Sequence, residues 1–261
     1  RGCWVGAEKK LVEKAAAKGG QVEIEPDTVV SAASWDAAVA AAGCAITATR
    51  LVLDGEAETA FAAARPPGHH ATASRAMGFC LFNNVAIAAR WAQENRGVGK
   101  VLIVDFDIHH GNGTQDIFYE DPDVYYLSIH ASPHYPGTGA AEERGAGAGL
   151  GTTRNVLLTM GTGTTAYRAA FEGALEATLA EFEPELVLVS AGFDILAGDP
   201  LGGFGLEPVD IHGLTTRLVE ATRESARGRV VTVLEGGYVP KRVGEGVVQM
   251  VRALAGLPAK D

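Results

Sequence analysis

Val101-Leu102-Ile103-Val104-Asp105-Phe106-Asp107-Ile108-His109-His110-Gly111-Asn112-Gly113 couples a short apolar run to a string of oxygen and nitrogen ligands. The run Val101–Val104 is apolar at every position and rich in β-branched residues, which reads as a strand buried on both faces of a parallel sheet. In open parallel sheets the ligand crevice lies outside the carboxyl ends of the strands, so the polar string that follows is placed at a site. Asp107 and His109 are two positions apart. In an extended segment both side chains point to the same side, where they can bind one ion.

Four further short runs are also rich in β-branched residues: Val124–Ile129, Asn155–Thr159, Leu186–Ser190 and Arg229–Leu234. Longer helical patterns alternate with them. Tyr167, Phe171, Leu175, Leu179 and Phe182 recur at helical spacing, as do Val243, Val247, Met250 and Leu254. Val39, Ile46 and Leu53 mark another helix, and an early one over Glu8–Ala17 is expected to stop at Gly19-Gly20. The alternation predicts an α/β domain, an open parallel sheet with helices on both faces. Polar clusters follow four of the strands: Asp105–His110, Ser128–His130, Gly192–Asp194 and Glu235–Tyr238. They are expected to converge.

Asp107 and His109 need a third ligand, and Asp194, just past a buried strand, is the best candidate. Two carboxylates and one imidazole leave coordination positions open, as a catalytic zinc requires for water and a substrate carbonyl. The tandem His69-His70 in Arg65-Pro66-Pro67-Gly68-His69-His70-Ala71 supplies two imidazoles at one point of the chain. Zinc lowers the pKa of water to about 7, and a neutral imidazole beside it can take the proton as a polarised carbonyl is attacked. Each imidazole needs a partner at its far nitrogen, and Asp105 and Asn112 are the natural ones. A charged Asp raises basicity more than a neutral Asn, so the two histidines should differ in pKa. Tyr238, presented after Gly236-Gly237, could stabilise the oxyanion opposite the metal.

The chain has 261 residues and a formal net charge of -10. That balance removes the phosphate attraction on which nucleic-acid binders rely, so direct DNA or RNA binding is not expected. Cys3, Cys44 and Cys80 are odd in number and lack a Cys-x-x-Cys pairing, which argues against a disulfide framework. No apolar run approaching the ~20 residues of a membrane span is read, and no signal-peptide pattern, so the default location is a reducing cytoplasm.

The strings Arg65–Ala71, Gly78-Phe79-Cys80-Leu81-Phe82-Asn83-Asn84, Asp105–Gly113, Tyr135-Pro136-Gly137-Thr138-Gly139, Gly192–Asp194 with Gly198-Asp199-Pro200-Leu201-Gly202, and Glu235–Tyr238 resemble, in order, the zinc-dependent histone deacetylase family. More narrowly they are similar to its class II-like bacterial members, which include acetylpolyamine amidohydrolases. The resemblance implies an arginase/deacetylase-like fold, with Asp107, His109 and Asp194 as zinc ligands, His69 and His70 as the proton-handling pair, and Tyr238 as carbonyl polariser. It further implies Phe79 and Tyr135 as the aromatic walls of a narrow tunnel lined also by Gly78 and Leu201, and Asp27 as a rim carboxylate that grips substrate amides. A potassium ion near the zinc is implied at Asp105, Asp107, His109, Ser128 and Ile129. The substrate implied is an acylated lysine or polyamine.

A single domain over 1–261 is expected, matched from about Asp27 onward. Residues 1–24 fit the family pattern poorly, and its usual N-terminal strand is not found there, so an edge strand and part of the rim are expected to be built differently. The arginase-like two-manganese variant of the fold lacks ligands here, since positions 196 and 111 are Leu196 and Gly111. A non-catalytic acyl-lysine-binding module and a hydrolase of another small amide are the competing functions. Assembly into a homo-oligomer stays open.

Overall fold

The computed structural model describes residue 17 and residues 20–260. The expected helix over 8–17 apart from residue 17, Cys3, and 18 of the 24 residues of the poorly matched segment 1–24 therefore lie outside the described residues. A small antiparallel hairpin comes first, β1 (Val22–Glu25) and β2 (Thr28–Val30). The main body then runs α1 (Ser34–Leu53), β3 (Thr59–Ala62), α2 (Asn84–Arg96), β4 (Val101–Asp105), α3 (Asn112–Phe118), β5 (Val124–Ala131) and β6 (Thr153–Leu158). It continues through α4 (Thr164–Glu181), β7 (Leu186–Ala191), α5 (Pro208–Thr222), β8 (Val230–Leu234) and α6 (Pro240–Leu254).

Six strands form one parallel sheet in the order β3-β8-β7-β4-β5-β6. From β4 the chain winds outward to β5 and β6, then returns to lay β7 and β8 on the other side. The order therefore reverses between β4 and β7, the position at which parallel sheets open a crevice at their carboxyl ends.

Successive residues of β4 face opposite layers. Leu102 and Val104 pack with Tyr167, Phe171, Ile211 and Met250 from α4, α5 and α6. Val101 and Ile103 pack instead with the small residues of α1 and α2. Each fully buried aliphatic side chain of β4 contributes about 1.5–3 kcal/mol.

Several expectations change in detail. The strand read as Asn155–Thr159 spans Thr153–Leu158, and Ser128–His130 lie within β5 rather than after it. The edge strand β3, Thr-Ala-Phe-Ala, was not read, because two of its four residues are alanine and carry little strand signal. In α1 the apolar stripe is not the Val39 face: Val39 is 48% exposed, and the buried positions are Ala38, Ala41, Ala42, Ala45, Ala48, Thr49 and Val52. Small side chains let α1 lie close on the equally small Ala86, Ala88, Ala89 and Ala92 of α2. The same helix corrects the membrane reading, since by length and composition its 20 residues are apolar enough to cross a bilayer. Here its alanine face is part of the core.

Candidate active site

Asp105 ends β4 in register with Ser128 of β5 and Ser190 of β7, so the segment beyond it emerges at the middle of the carboxyl edge. Asp107 and His109 follow, and Asp194 arrives from the loop after β7. The three donate ligand atoms within 4.8 Å of one another, and all are buried. His109 Nδ1 lies 2.9 Å from Asp107 Oδ1 and 3.1 Å from Asp194 Oδ2. The remaining carboxylate oxygens are held by backbone: Asp194 Oδ1 accepts the Ile108 N–H at 3.1 Å, and Asp107 Oδ2 accepts the Gly236 N–H at 2.8 Å. A Cβ on Gly236 would fall into both carboxylates, so glycine is what admits this approach.

Asp194 Oδ2, buried and close to His109, has no hydrogen bond of proper geometry. An oxygen so placed, beside a second carboxylate and an imidazole, fits a divalent cation. The electrostatics agree. Burial disfavours a charged His109, yet the two carboxylates overcome it and raise its pKa to about 10. Burial and the charge of Asp107 push Asp194 upward. Asp107, whose ionised form burial also opposes, is held well below the usual carboxylate range by His69 and His109. The trio is short of positive charge, which a metal would supply.

The tandem histidines lie beside it with their rings 4.0 Å apart. His69 Nδ1 meets Asp105 Oδ2 at 2.9 Å, and His70 Nδ1 meets Asn112 Oδ1 at 2.8 Å. Asp105 Oδ2 also accepts the Tyr126 hydroxyl at 3.0 Å. Against the cost of burial, Asp105 and Asp107 raise the His69 pKa to about 10. Burial and the neighbouring His69 push His70 well below the ordinary value. The two imidazoles thus stand in opposite states.

Glu235 was not singled out from the sequence, yet it holds the dyad in place. Its carboxylate is fully buried and accepts the N–H groups of Gly68 (2.6 Å) and His69 (3.1 Å) and the Ser190 hydroxyl (3.0 Å). Burial raises its pKa to about 7. A carboxylate directly after a fully buried strand was the available signal. Three residues on, Tyr238 is partly buried, its backbone N–H donating to Asp199 Oδ2 at 2.7 Å and its ring 6.0 Å from that of Phe79.

At the mouth, Tyr135 stands edge-on to His70 with centroids 5.1 Å apart and donates its hydroxyl to Asp27 Oδ2 at 2.6 Å. Gly78 packs so closely on the His70 ring that a Cβ would overlap it. Leu201, 43% exposed, is tied on both sides: its N–H to Asp199 Oδ1 (3.0 Å) and its carbonyl to His134 Nε2 (3.0 Å). His134, also not anticipated, stacks on His109 at 4.8 Å. Ser128 and Ile129 sit on β5 beside Asp105, the Ser128 hydroxyl bonded to His130 Nδ1 at 2.9 Å.

A family model described as the histone deacetylase domain matches residues 4–254. Over 199 residues the chain is 46% identical to "Histone deacetylase 10, chloroplastic" of Oryza sativa subsp. japonica, covering 76% of this chain and 45% of that protein. Over 229 residues it is 41% identical to a "Probable deacetylase" of Archaeoglobus fulgidus, covering 88% of this chain and 63% of that one. The chain therefore spans less than two thirds of the length of either. A crystal structure of the HDA15 HD domain superposes with a TM-score of 0.89 at 37% identity, covering 96% of this chain and 70% of that one. The parallel sheet, the buried trio and these likenesses together place the chain in the histone deacetylase domain family.

Proposed function

We propose that the chain is a zinc-dependent amidohydrolase that removes acetyl or another short acyl group from lysine-like or polyamine amines. The observation that carries this is the buried carboxylate–imidazole–carboxylate trio set beside two imidazoles with unlike partners. Asp107, His109 and Asp194 would hold the zinc. Bound there, it supplies a Lewis acid that lowers the pKa of water and polarises the acyl carbonyl.

His70 is kept neutral by burial and by His69, so it is the imidazole able to take a proton, with Asn112 holding its far nitrogen. His69 keeps its proton through Asp105 and stays the charged neighbour, while the proton taken up by His70 passes to the departing amine as the acyl–nitrogen bond breaks. The Tyr238 phenol, whose pKa burial raises, stays protonated and can donate to the developing oxyanion. Phe79, Tyr135, Gly78 and Leu201 would line the path of an acyl-bearing chain, and a potassium ion would sit at Asp105, Asp107, His109, Ser128 and Ile129. One domain carries all of this. A cytoplasmic location is proposed on cysteine usage, since Cys44 and Cys80 are free, although the compartment printed for the rice relative is the chloroplast.

The test is turnover of acetyl-lysine peptides and acetylated polyamines, with and without a chelator, by the parent chain and by His70→Ala and Tyr238→Phe. Both variants should lose at least about 100-fold in kcat with zinc still bound in stoichiometric amount. Rates unchanged in either variant would overturn the assigned roles.

A further inference from the structure

Both aromatic rings at the mouth hang from one two-residue turn. Pro26-Asp27 joins β1 to β2, and Thr28 opens β2. Asp27 Oδ2 accepts the Tyr135 hydroxyl at 2.6 Å, while Oδ1 accepts the Thr28 hydroxyl at 2.7 Å and the Gly78 N–H at 3.1 Å. Thr28 Oγ1 in turn accepts the Phe79 N–H at 3.2 Å. Thr28 is only 2% exposed, whereas Tyr135 is 37% exposed.

The Phe79 side of this arrangement is strained. Gly78 and Phe79 have φ of 57° and 66°, inside a tight turn closed by reciprocal bonds between Met77 and Cys80 at 3.2 and 2.9 Å. Two successive left-handed residues suit a two-residue hairpin turn, but the second is a bulky aromatic, which that region disfavours. Such a conformation persists only where its surroundings fix it. Here the N–H groups of both left-handed residues end on Asp27 and Thr28. On the other side, the Tyr135 ring stands over His70 and lies 6.1 Å from His109. Moving either ring changes the opening above the site.

We propose that Thr28 and the hydroxyl of Tyr135 are specificity-determining residues: acting through the Asp27 carboxylate, they fix the gap between Phe79 and Tyr135 and so select slender, unbranched amine arms over branched or ring-bearing ones. This rests on the amidohydrolase reading and deepens it. A carboxylate offers about four acceptor positions, and three at Asp27 are already taken by the protein. Asp27 therefore serves as the tie between the walls, with one acceptor position left on Oδ2. Without the Thr28 acceptor, Phe79 loses the bond that ties its own N–H to the hairpin. Without the Tyr135 hydroxyl, the opposite wall swings free.

The experiment compares the parent chain, Tyr135→Phe, Thr28→Val and the double variant on N-acetyl-1,5-diaminopentane and N-acetylbenzylamine. The ratio of kcat/KM, linear over ring-bearing, should fall roughly three- to tenfold in each single variant, as expected for losing one ordinary hydrogen bond. The loss should appear more in KM than in kcat. Because both side chains act on one carboxylate, the double variant should fall short of the product of the two singles. Tyr135→Phe alters a half-exposed hydroxyl, so it answers even where Thr28→Val fails to fold. An unchanged ratio in Tyr135→Phe overturns the proposal. A parent chain inactive on both amides and on acetyl-lysine peptides instead overturns the amidohydrolase reading; the wall question is then read from the affinity ratio of linear-alkyl and benzyl hydroxamates, and an unchanged ratio again overturns the proposal.

Discussion

Replacing Glu235 by glutamine or alanine separates the two things this buried carboxylate does. It carries a charge in a fully buried site, offset only in part by the neighbouring His69 imidazole, and it receives three donors that pin the His69-His70 loop to the end of the sheet. Burial raises its pKa from 4.5 to about 7, a penalty on the ionised form of about 3 kcal/mol. The sign follows from linkage. With the folded pKa above the unfolded one, the stabilising contribution of protonation is complete below about pH 4.5 and is lost as pH rises through about 7. Glutamine keeps one acceptor oxygen, for the Gly68 and His69 N–H groups, and turns an amide NH2 toward the Ser190 hydroxyl, but has no proton to lose. In urea denaturation with saturating divalent metal, the stability of Glu235→Gln relative to the parent should therefore increase by about 3 kcal/mol between pH 4.5 and pH 8. Alanine removes the charge too, yet leaves the N–H groups of Gly68 and His69 buried and unpaired, at about 1–3 kcal/mol each. It should also displace the dyad, and a displacement of about 1 Å costs on the order of 100-fold in turnover. Parallel pH–stability profiles for parent and Glu235→Gln, with full turnover in Glu235→Ala, would refute both the charge and the positioning arguments.

Gly236→Ala should leave the far-UV circular dichroism unchanged but lower bound metal well below one ion per chain by elemental analysis, because its Cβ would occupy the space of the Asp107 and Asp194 carboxylates. Chelation should lower the unfolding free energy by about 4 kcal/mol relative to protein held at 1,000 times its Kd for the metal, and adding back the divalent ion should restore it. A chelated protein that melts with the parent would show that the buried trio holds nothing.

The carboxylate–imidazole–carboxylate trio was legible because each member is announced locally. Asp107 and His109 are read from an alternation of period two directly after an apolar run, and Asp194 from its place just past another such run; the sheet then brings those strand ends together as parallel topology requires. The partners of His69 and His70 were legible for a similar reason, since Asp105 and Asn112 belong to the same string as the ligands. The alanine face of α1 was not, because periodicity is read from large apolar residues, whereas close helix packing there uses small ones.

What the order of residues determined by itself is the chemistry at the carboxyl edge: which strands end there and which ligating side chains follow them. Only the tertiary structure decided how that chemistry is held. Glu235 reaches 167 residues back to Gly68, Asp199 receives the N–H of Tyr238, His134 ties to Leu201, and Asp27 spans 108 residues to Tyr135. None of these pairs has a periodicity or a local motif. A hydrogen bond is a matter of distance and angle in space, and separations of that length along the chain carry neither until the strands are paired.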